Sequence, residues 1–324
     1  MIPIKSYAKI RRIQKKIAKA RGIKTGFNSY KPFSASKQIK TKGGGLLITE
    51  INYAQEYPNS YCDIWYSDSV NSQKNPTLFY FHGGGFFFGN KTDGDPMAVK
   101  GGDYDDLFCR ILDAGFNIIS VDYALAPKFH FPVPIIQMNQ CFEFFKINAS
   151  KYSINIEQVV LFGGSAGADM VEIYGALAKN PQYAKTLKIT PILKNEIKAI
   201  VVDEAALSPE VYDDRMKIMT EAFLGTTRIK TGKSTLFNAA NYITEGYPPV
   251  FINSSNSEPW FLLSAQDLEK AVKAVGGEYE FCYFSKEKGE LNHGYLNLFA
   301  TNNCAKECLE RMLAFITKKV KRKG

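Results

Sequence analysis

The sequence predicts an α/β fold, a mostly parallel, doubly wound sheet with helices on both faces. Two observations carry this. Short, nearly continuous apolar runs such as Thr77–Phe81 and Phe116–Val121 have the pattern of strands buried on both faces. They alternate with longer stretches of helix formers, an order that favours parallel crossover connections. A third observation marks the centre of the fold. Within Gln158–Ala178, a β-type run enters Gly163-Gly164-Ser165-Ala166-Gly167 and continues as helix formers.

That stretch is G-x-S-x-G in a strand–turn–helix context, the context that gives the motif meaning. A strand turning abruptly into a helix forces the corner residue into a strained backbone, and the flanking glycines let the chain crowd there without clashing. Ser165 is then held out at the carboxyl end of a strand, beside a helix N-terminus.

Eight runs read as strands. Two alternating segments, LLITEINY from Leu46 and SYCDIWYS from Ser60, suit an antiparallel hairpin. Buried strands follow at Thr77–Phe81, Phe116–Val121, Gln158–Phe162, Lys198–Val202, Pro249–Ser254 and Tyr279–Phe284. Helices are expected at Asp105–Ala114, Ile135–Asn148, after Ser165, near Glu258–Val275 and near Asn303–Val320. Leu207–Tyr247 interrupts the alternation. It carries a helical stretch around Asp214–Phe223 and reads as a cap insertion.

Residues 4–21 form an amphipathic pattern, with Ile10, Ile13 and Ile17 at i, i+3 and i+7 among Lys and Arg. Three roles compete: a lid over a substrate pocket, weak association with an anionic membrane surface, and a transit peptide. The preference for Lys over Arg and Ser speaks against the last, and the lid is favoured. Gly22–Gly45 reads as connecting loop, with Tyr30 and Phe33 as aromatic cap candidates. The chain thus divides into an N-terminal basic helix and cap segment (1–45) and a catalytic domain (46–324), with 207–247 inserted as cap.

The 324 residues carry a net charge of +9, which at first suggests nucleic acid. Its distribution argues otherwise. Residues 1–49 hold thirteen Lys or Arg and no Asp or Glu, leaving 28 basic against 32 acidic residues in the rest. No zinc finger or aromatic-basic interleave accompanies the basic segment, so a nucleic-acid partner is not expected. No apolar run approaches the ~18 residues of a membrane span, and the first thirty residues lack a signal-peptide core. Six scattered cysteines without C-x-x-C spacing read as free thiols in a cytoplasmic protein. Gly232-Lys233-Ser234 resembles the end of a phosphate loop, but Thr227 stands where that loop needs glycine.

A serine hydroxyl needs a base to remove its proton, and that base is usually histidine. The chain has three. His82 opens the run His82-Gly83-Gly84-Gly85 at the end of a buried strand, where uncovered N–H groups can stabilise an oxyanion. His130 lies beside Phe131-Pro132 in a loop. His293 alone is far enough downstream of Ser165 for the order Ser, acid, His. For the acid, Glu258 follows the penultimate strand and is preferred. Asp203 and Glu204, after an earlier strand, are its rivals, and Asp267 lies further along a helix. The competing role for Glu258 is a helix N-terminal charge beside Pro259.

Taken in order, His82-Gly-Gly-Gly85, Asp122-Tyr-Ala-Leu-Ala-Pro127, Phe131-Pro132, Gly163-Gly-Ser-Ala-Gly167, Glu258-Pro259 and His293-Gly294-Tyr295 resemble the hormone-sensitive-lipase-like esterases of the α/β-hydrolase fold. The resemblance runs from about Leu46 to the C-terminus. It implies a mostly parallel eight-stranded sheet, Ser165 as nucleophile, His293 as base and Glu258 in place of the family's aspartate. It further implies Gly84, Gly85 and Ala166 as oxyanion donors, and cap segments over an acyl pocket. The expected function is a serine carboxylesterase of small or medium acyl esters, with no metal or organic cofactor. An amidase or arylformamidase and a catalytically silent hydrolase-fold binding protein are the alternatives, and a homodimer is left open. Gly164, in place of the usual acidic residue, and Ala168-Asp169, in place of a Gly-Asn-like pair, depart from the family pattern.

Overall fold

The computed structural model describes residues 1–21, 27–29, 36, 38–40, 45–67, 73–91 and 104–320. Its strands are β1 (Gln38–Lys40), β2 (Leu46–Asn52), β3 (Tyr61–Tyr66), β4 (Pro76–Phe81), β5 (Asn117–Val121), β6 (Asn155–Gly164), β7 (Ile197–Asp203), β8 (Val250–Ser254) and β9 (Tyr279–Tyr283). They form one sheet in the order β1-β2-β3-β5-β4-β6-β7-β8-β9. The first three pairings are antiparallel and the remaining five parallel. Strands β2 to β9 are the eight expected from the sequence. Short β1 adds a ninth at the antiparallel edge, within the Gly22–Gly45 stretch whose Pro and Gly signals read as connecting loop.

The helices are α1 (Ile4–Arg21), α2 (Tyr104–Asp113), α3 (Val133–Asn148), α4 (Ala166–Lys179), α5 (Pro181–Leu187), α6 (Asp214–Leu224), α7 (Pro259–Ala274) and α8 (Asn303–Lys319). Central β4 shows why its run is continuously apolar: successive side chains leave opposite faces, and both faces are covered. Phe79 and Phe81 pack with Phe142 of α3 on one side, while Leu78 and Tyr80 pack with Phe108 of α2 on the other. Helix α8 completes the second face through Cys308, Met312 and Ile316. All six cysteines are free.

Above the carboxyl ends of the parallel strands, α1 lies against α6. Ile10 is fully buried with Phe87 and Ala222, a burial worth about 1.5–3 kcal/mol. Polar contacts share the seam. The Ser6 hydroxyl donates to Glu221, Tyr7 bonds His130 at 2.8 Å, and Gln14 donates to the carbonyls of Phe87 (2.7 Å) and Ala126 (2.9 Å). The isoleucine pattern is only partly the docking seam. Ile10 and Ile17 turn inward, but Ile13 is 39% exposed and lies along a cavity instead. Tyr30 and Phe33 lie outside the described residues.

The β6–α4 corner needs two glycines for space rather than for dihedral freedom. A Cβ on Gly167 would sit 1.9 Å from the Phe81 carbonyl oxygen, and one on Gly163 would sit 2.0 Å from that of Gly167. Since neither contact is with a flexible side chain, Gly167→Ala is expected to cost about 3 kcal/mol, read as a lower urea midpoint at unchanged m-value.

Candidate active site

Ser165 stands between β6 and α4 with φ 53° and ψ −117°, a backbone strained for a residue with a side chain. The corner is held by the Ser165 N–H, which donates to the Asp203 carbonyl at 2.8 Å. His293 reaches it from the loop after β9: Nε2 lies 3.1 Å from the Ser165 hydroxyl. The imidazole stacks on Phe261 of α7, centroids 4.3 Å apart, which fixes its plane.

The other ring nitrogen meets a different carboxylate from the one expected. His293 Nδ1 lies 2.6 Å from Oε2 of Glu204, not from Glu258. Glu204 is 1% exposed, and the same oxygen accepts the Gly294 N–H at 2.6 Å. The reason lies in sheet register. Strand β7 is the neighbour of β6, and Gly164 pairs with Asp203, so the next residue of each strand, Ser165 and Glu204, emerges at one level. Strand β8 is one place further out, and Glu258 lies four residues beyond its end. There it occupies the N-cap position of α7 and accepts the Ser257 hydroxyl. The helix-terminal role weighed for Glu258 is the one its position fits. Asp203 points elsewhere, accepting from Asn253, whose own oxygen accepts the Tyr295 hydroxyl. Asp267 accepts the Ser208 hydroxyl at 2.5 Å.

Burial alone would depress the His293 pKa. The Glu204 hydrogen bond and charge, with Asp203 and Glu258 nearby, more than reverse this and raise it above 6.5. Burial pushes Asp203 up to about 7, with the adjoining Glu204 charge adding to it.

On the facing loop, Gly84 and Gly85 adopt φ 102° and 58°, and a Cβ on Gly84 would meet the Phe88 carbonyl oxygen at 2.2 Å. The amides of Gly84, Gly85 and Ala166 have no acceptor among the described residues, and all three residues line the cavity that contains Ser165 and His293. His82 shapes this loop. It stacks on Tyr123 at 4.2 Å, with Nδ1 2.7 Å from the Gly83 carbonyl, and burial drops its pKa to about 4. Beneath it, fully buried Lys91 lies 3.3 Å from Glu50 and 3.4 Å from Asp122. Asp122 in turn lies 3.7 Å from His82.

The cavity holds about 780 Å³. Phe86, Phe87, Met219, Phe223 and Phe261 supply apolar wall, and α1 lies along one side. Gly164 faces ordinary van der Waals space, with Asp203 Oδ2 at 3.8 Å from a Cβ built there. The Tyr80 hydroxyl lies as near, at 3.7 Å from that Cβ.

The sequence profile of the BD-FAE family matches residues 62–266, more than half of the chain. The chain belongs to the BD-FAE family. This BD-FAE chain is 26% identical to the acetyl esterase of Salmonella dublin over 280 residues, covering 82% of this chain and 79% of the relative. The acetyl esterase of Salmonella typhi matches at 26% over 269 residues, 79% of this chain and 76% of the relative. Among solved structures, esterase B from Lactobacillus rhamnosis superposes with a TM-score of 0.71 at 16% identity, over 98% of this chain and 96% of its own. A thermophilic carboxylesterase from a metagenomic library gives 0.64 at 15%, over 99% and 98%. These structures establish the α/β-hydrolase fold of the BD-FAE chain, in line with the hormone-sensitive-lipase-like resemblance of its motifs.

Two features escaped sequence reading. Phe261 and Gln14 sit in helical stretches whose spacing says nothing of the rings or carbonyls they meet. Glu204 did carry a signal: it directly follows the strand next after the serine strand.

Because a raised native pKa means that the fold binds the His293 proton more tightly than the unfolded chain does, protonation stabilises the fold fully below about pH 6.5. That contribution is lost as pH rises through the native pKa. NMR titration of His293 should give a midpoint above 6.5, and Glu204→Gln should move it down, whereas Glu258→Gln should move it much less.

Proposed function

We propose that this protein is a serine carboxylesterase of small or medium acyl esters, working through Ser165, His293 and Glu204. The single observation that carries the reading is the unbroken chain from the Ser165 hydroxyl through the imidazole to the buried Glu204 carboxylate. The acetyl esterase relatives and the apolar cavity support the substrate class.

In the reaction, Ser165 attacks the ester carbonyl while His293 Nε2 takes its proton. The carbonyl oxygen becomes an oxyanion facing the amides of Gly84, Gly85 and Ala166, each contributing about 3–4 kcal/mol to the transition state. His293 returns the proton to the departing alcohol, leaving an acyl-Ser165. Water then repeats the sequence and releases the acid. Glu204 holds the ring in the tautomer with Nδ1–H and stabilises the imidazolium. The raised His293 pKa makes it a stronger base, at the cost of needing a higher pH to be neutral.

In the same reading α1 serves as lid. Ile10 and Ile17 are committed to the α6 seam, so two of the three residues of the apolar stripe are not on offer to a membrane. The division into a cap (1–45 with 207–247) and a catalytic body fits this role.

With 4-nitrophenyl esters from acetate to palmitate, Ser165→Ala should lower kcat/KM by roughly 10⁴–10⁶-fold. Glu204→Gln should lower it by about 10²–10⁴-fold, and Glu258→Gln only by about a few-fold. An equal loss for both glutamates, in folded protein, overturns the assignment of the acid. Absence of turnover on every ester overturns the esterase.

A further inference from the structure

The cavity wall contributed by α1 has the wrong chemistry for a purely apolar substrate. The α1 residues lining it are Lys9, Ile10, Arg12, Ile13 and Lys16. Lys9, Arg12, Ile13 and Lys16, at i, i+3, i+4 and i+7, share one face of the helix, which borders the docked face carrying Ser6 and Ile17 along Ile10. A lid over hydrocarbon would turn aliphatic side chains to such a face. Here three of the five positions are cationic, and Ile10 is at the same time held in the α6 seam. Arg215 of α6 adds a fourth cation, its guanidinium 5.8 Å from the Trp260 ring centre.

None of these four cations has a carboxylate at ion-pair distance among the described residues. Two carboxylates line the same cavity. Asp214 lies 3.6 Å from Lys217. Asp169 accepts the Ala206 N–H, and burial pushes its pKa up to about 8, so near neutral pH it carries little charge. The balance at the rim is therefore positive, over walls of Phe and Met that concentrate the field. The cations are exposed, so they keep their hydration until an anion arrives, and the fold bears no burial penalty for them.

We propose that the ester turned over here carries an anionic group, a carboxylate or phosphate, on the end that reaches the α1 edge, where Lys9, Arg12, Lys16 and Arg215 receive it. This rests on the esterase reading. It narrows the substrate from an acyl ester in general to an acidic one: an apolar middle, a scissile ester at Ser165 and a negative end at the rim.

The test uses two matched pairs of soluble esters. Mono-4-nitrophenyl adipate against its methyl ester carries the charge on the acyl side. 4-Acetoxybenzoate against its methyl ester carries it on the leaving side, and each rate is normalised to hydroxide hydrolysis. The readout is the ratio of kcat/KM, anionic over neutral. In wild type at low salt the ratio should reach about tenfold for at least one pair, and it should shrink towards one at high salt. Lys9→Gln/Arg12→Gln/Lys16→Gln should bring it near one, and the corresponding triple Glu variant should invert it. Both change exposed side chains, and the neutral ester reports on their folding. A wild-type ratio near one for both pairs, or a ratio indifferent to these changes, overturns the proposal, including the case in which the cations act only on the product acid. Phosphatidylglycerol vesicles form a parallel arm. Binding that is lost in the variants, with a ratio near one, assigns the cations to a lipid surface and also overturns it. Turnover of neither ester by folded wild type is a different failure, that of the esterase itself.

Discussion

The parallel pairing of β6 with β7 sets Ser165 and Glu204 at one level. Gly164 stands opposite Asp203, so the two strands end together and their next residues, Ser165 and Glu204, leave the sheet side by side. Both take left-handed φ values, 53° and 63°, which turn the chain out of the sheet plane at the same height. The two ends are tied to the sheet directly: Ser165 N–H to the Asp203 carbonyl, and Glu204 N–H to that of Asn253. His293 has only to bridge a gap fixed by sheet geometry. A slip of one residue would flip the side chains and separate the pair.

The other wall of the site is fixed by polar pins rather than by register. A glycine loop has no side chains with which to hold itself, so its shape is borrowed from His82, Tyr123 and the buried Lys91 among its carboxylates. A buried charge is tolerable only when paired, and loss of one partner leaves the rest uncompensated. The Tyr123 hydroxyl donating to the His82 carbonyl at 2.6 Å ties the loop to the segment after β5, so the Asp122-Tyr motif and the His-Gly-Gly-Gly motif are two halves of one support.

What was legible in the sequence follows from the range of the interactions. Strand runs, the serine corner and the glycine loop are local patterns, and His293 was reachable because only three histidines compete. The glutamate was harder. Glu204 and Glu258 each follow a strand, and nothing local says which strand lies beside that of Ser165. Sheet order decides it, and sheet order is a property of the assembled chain. The same holds for α1. Its charge pattern is plain in the sequence, yet which face docks depends on α6, more than 190 residues away. Ile13 matched the apolar period and still faces the cavity, because Ile10, Ile13 and Ile17 cannot all turn to α6 at once.

The seam between α1 and α6 also bears on the order of assembly. The Ser6 to Glu221 hydrogen bond closes over 215 residues, whereas the sheet beneath is built from nearer neighbours in the chain. Contacts that span such a separation bring a large loop-closure cost and form late. On a growing chain, α1 emerges before any strand it will cover, and it must wait for α6 before Ile10 has a place to bury. The serine corner and its histidine can therefore meet while the cavity is still open to solvent. The roof that completes the cavity is made before the strands it covers and seated after them.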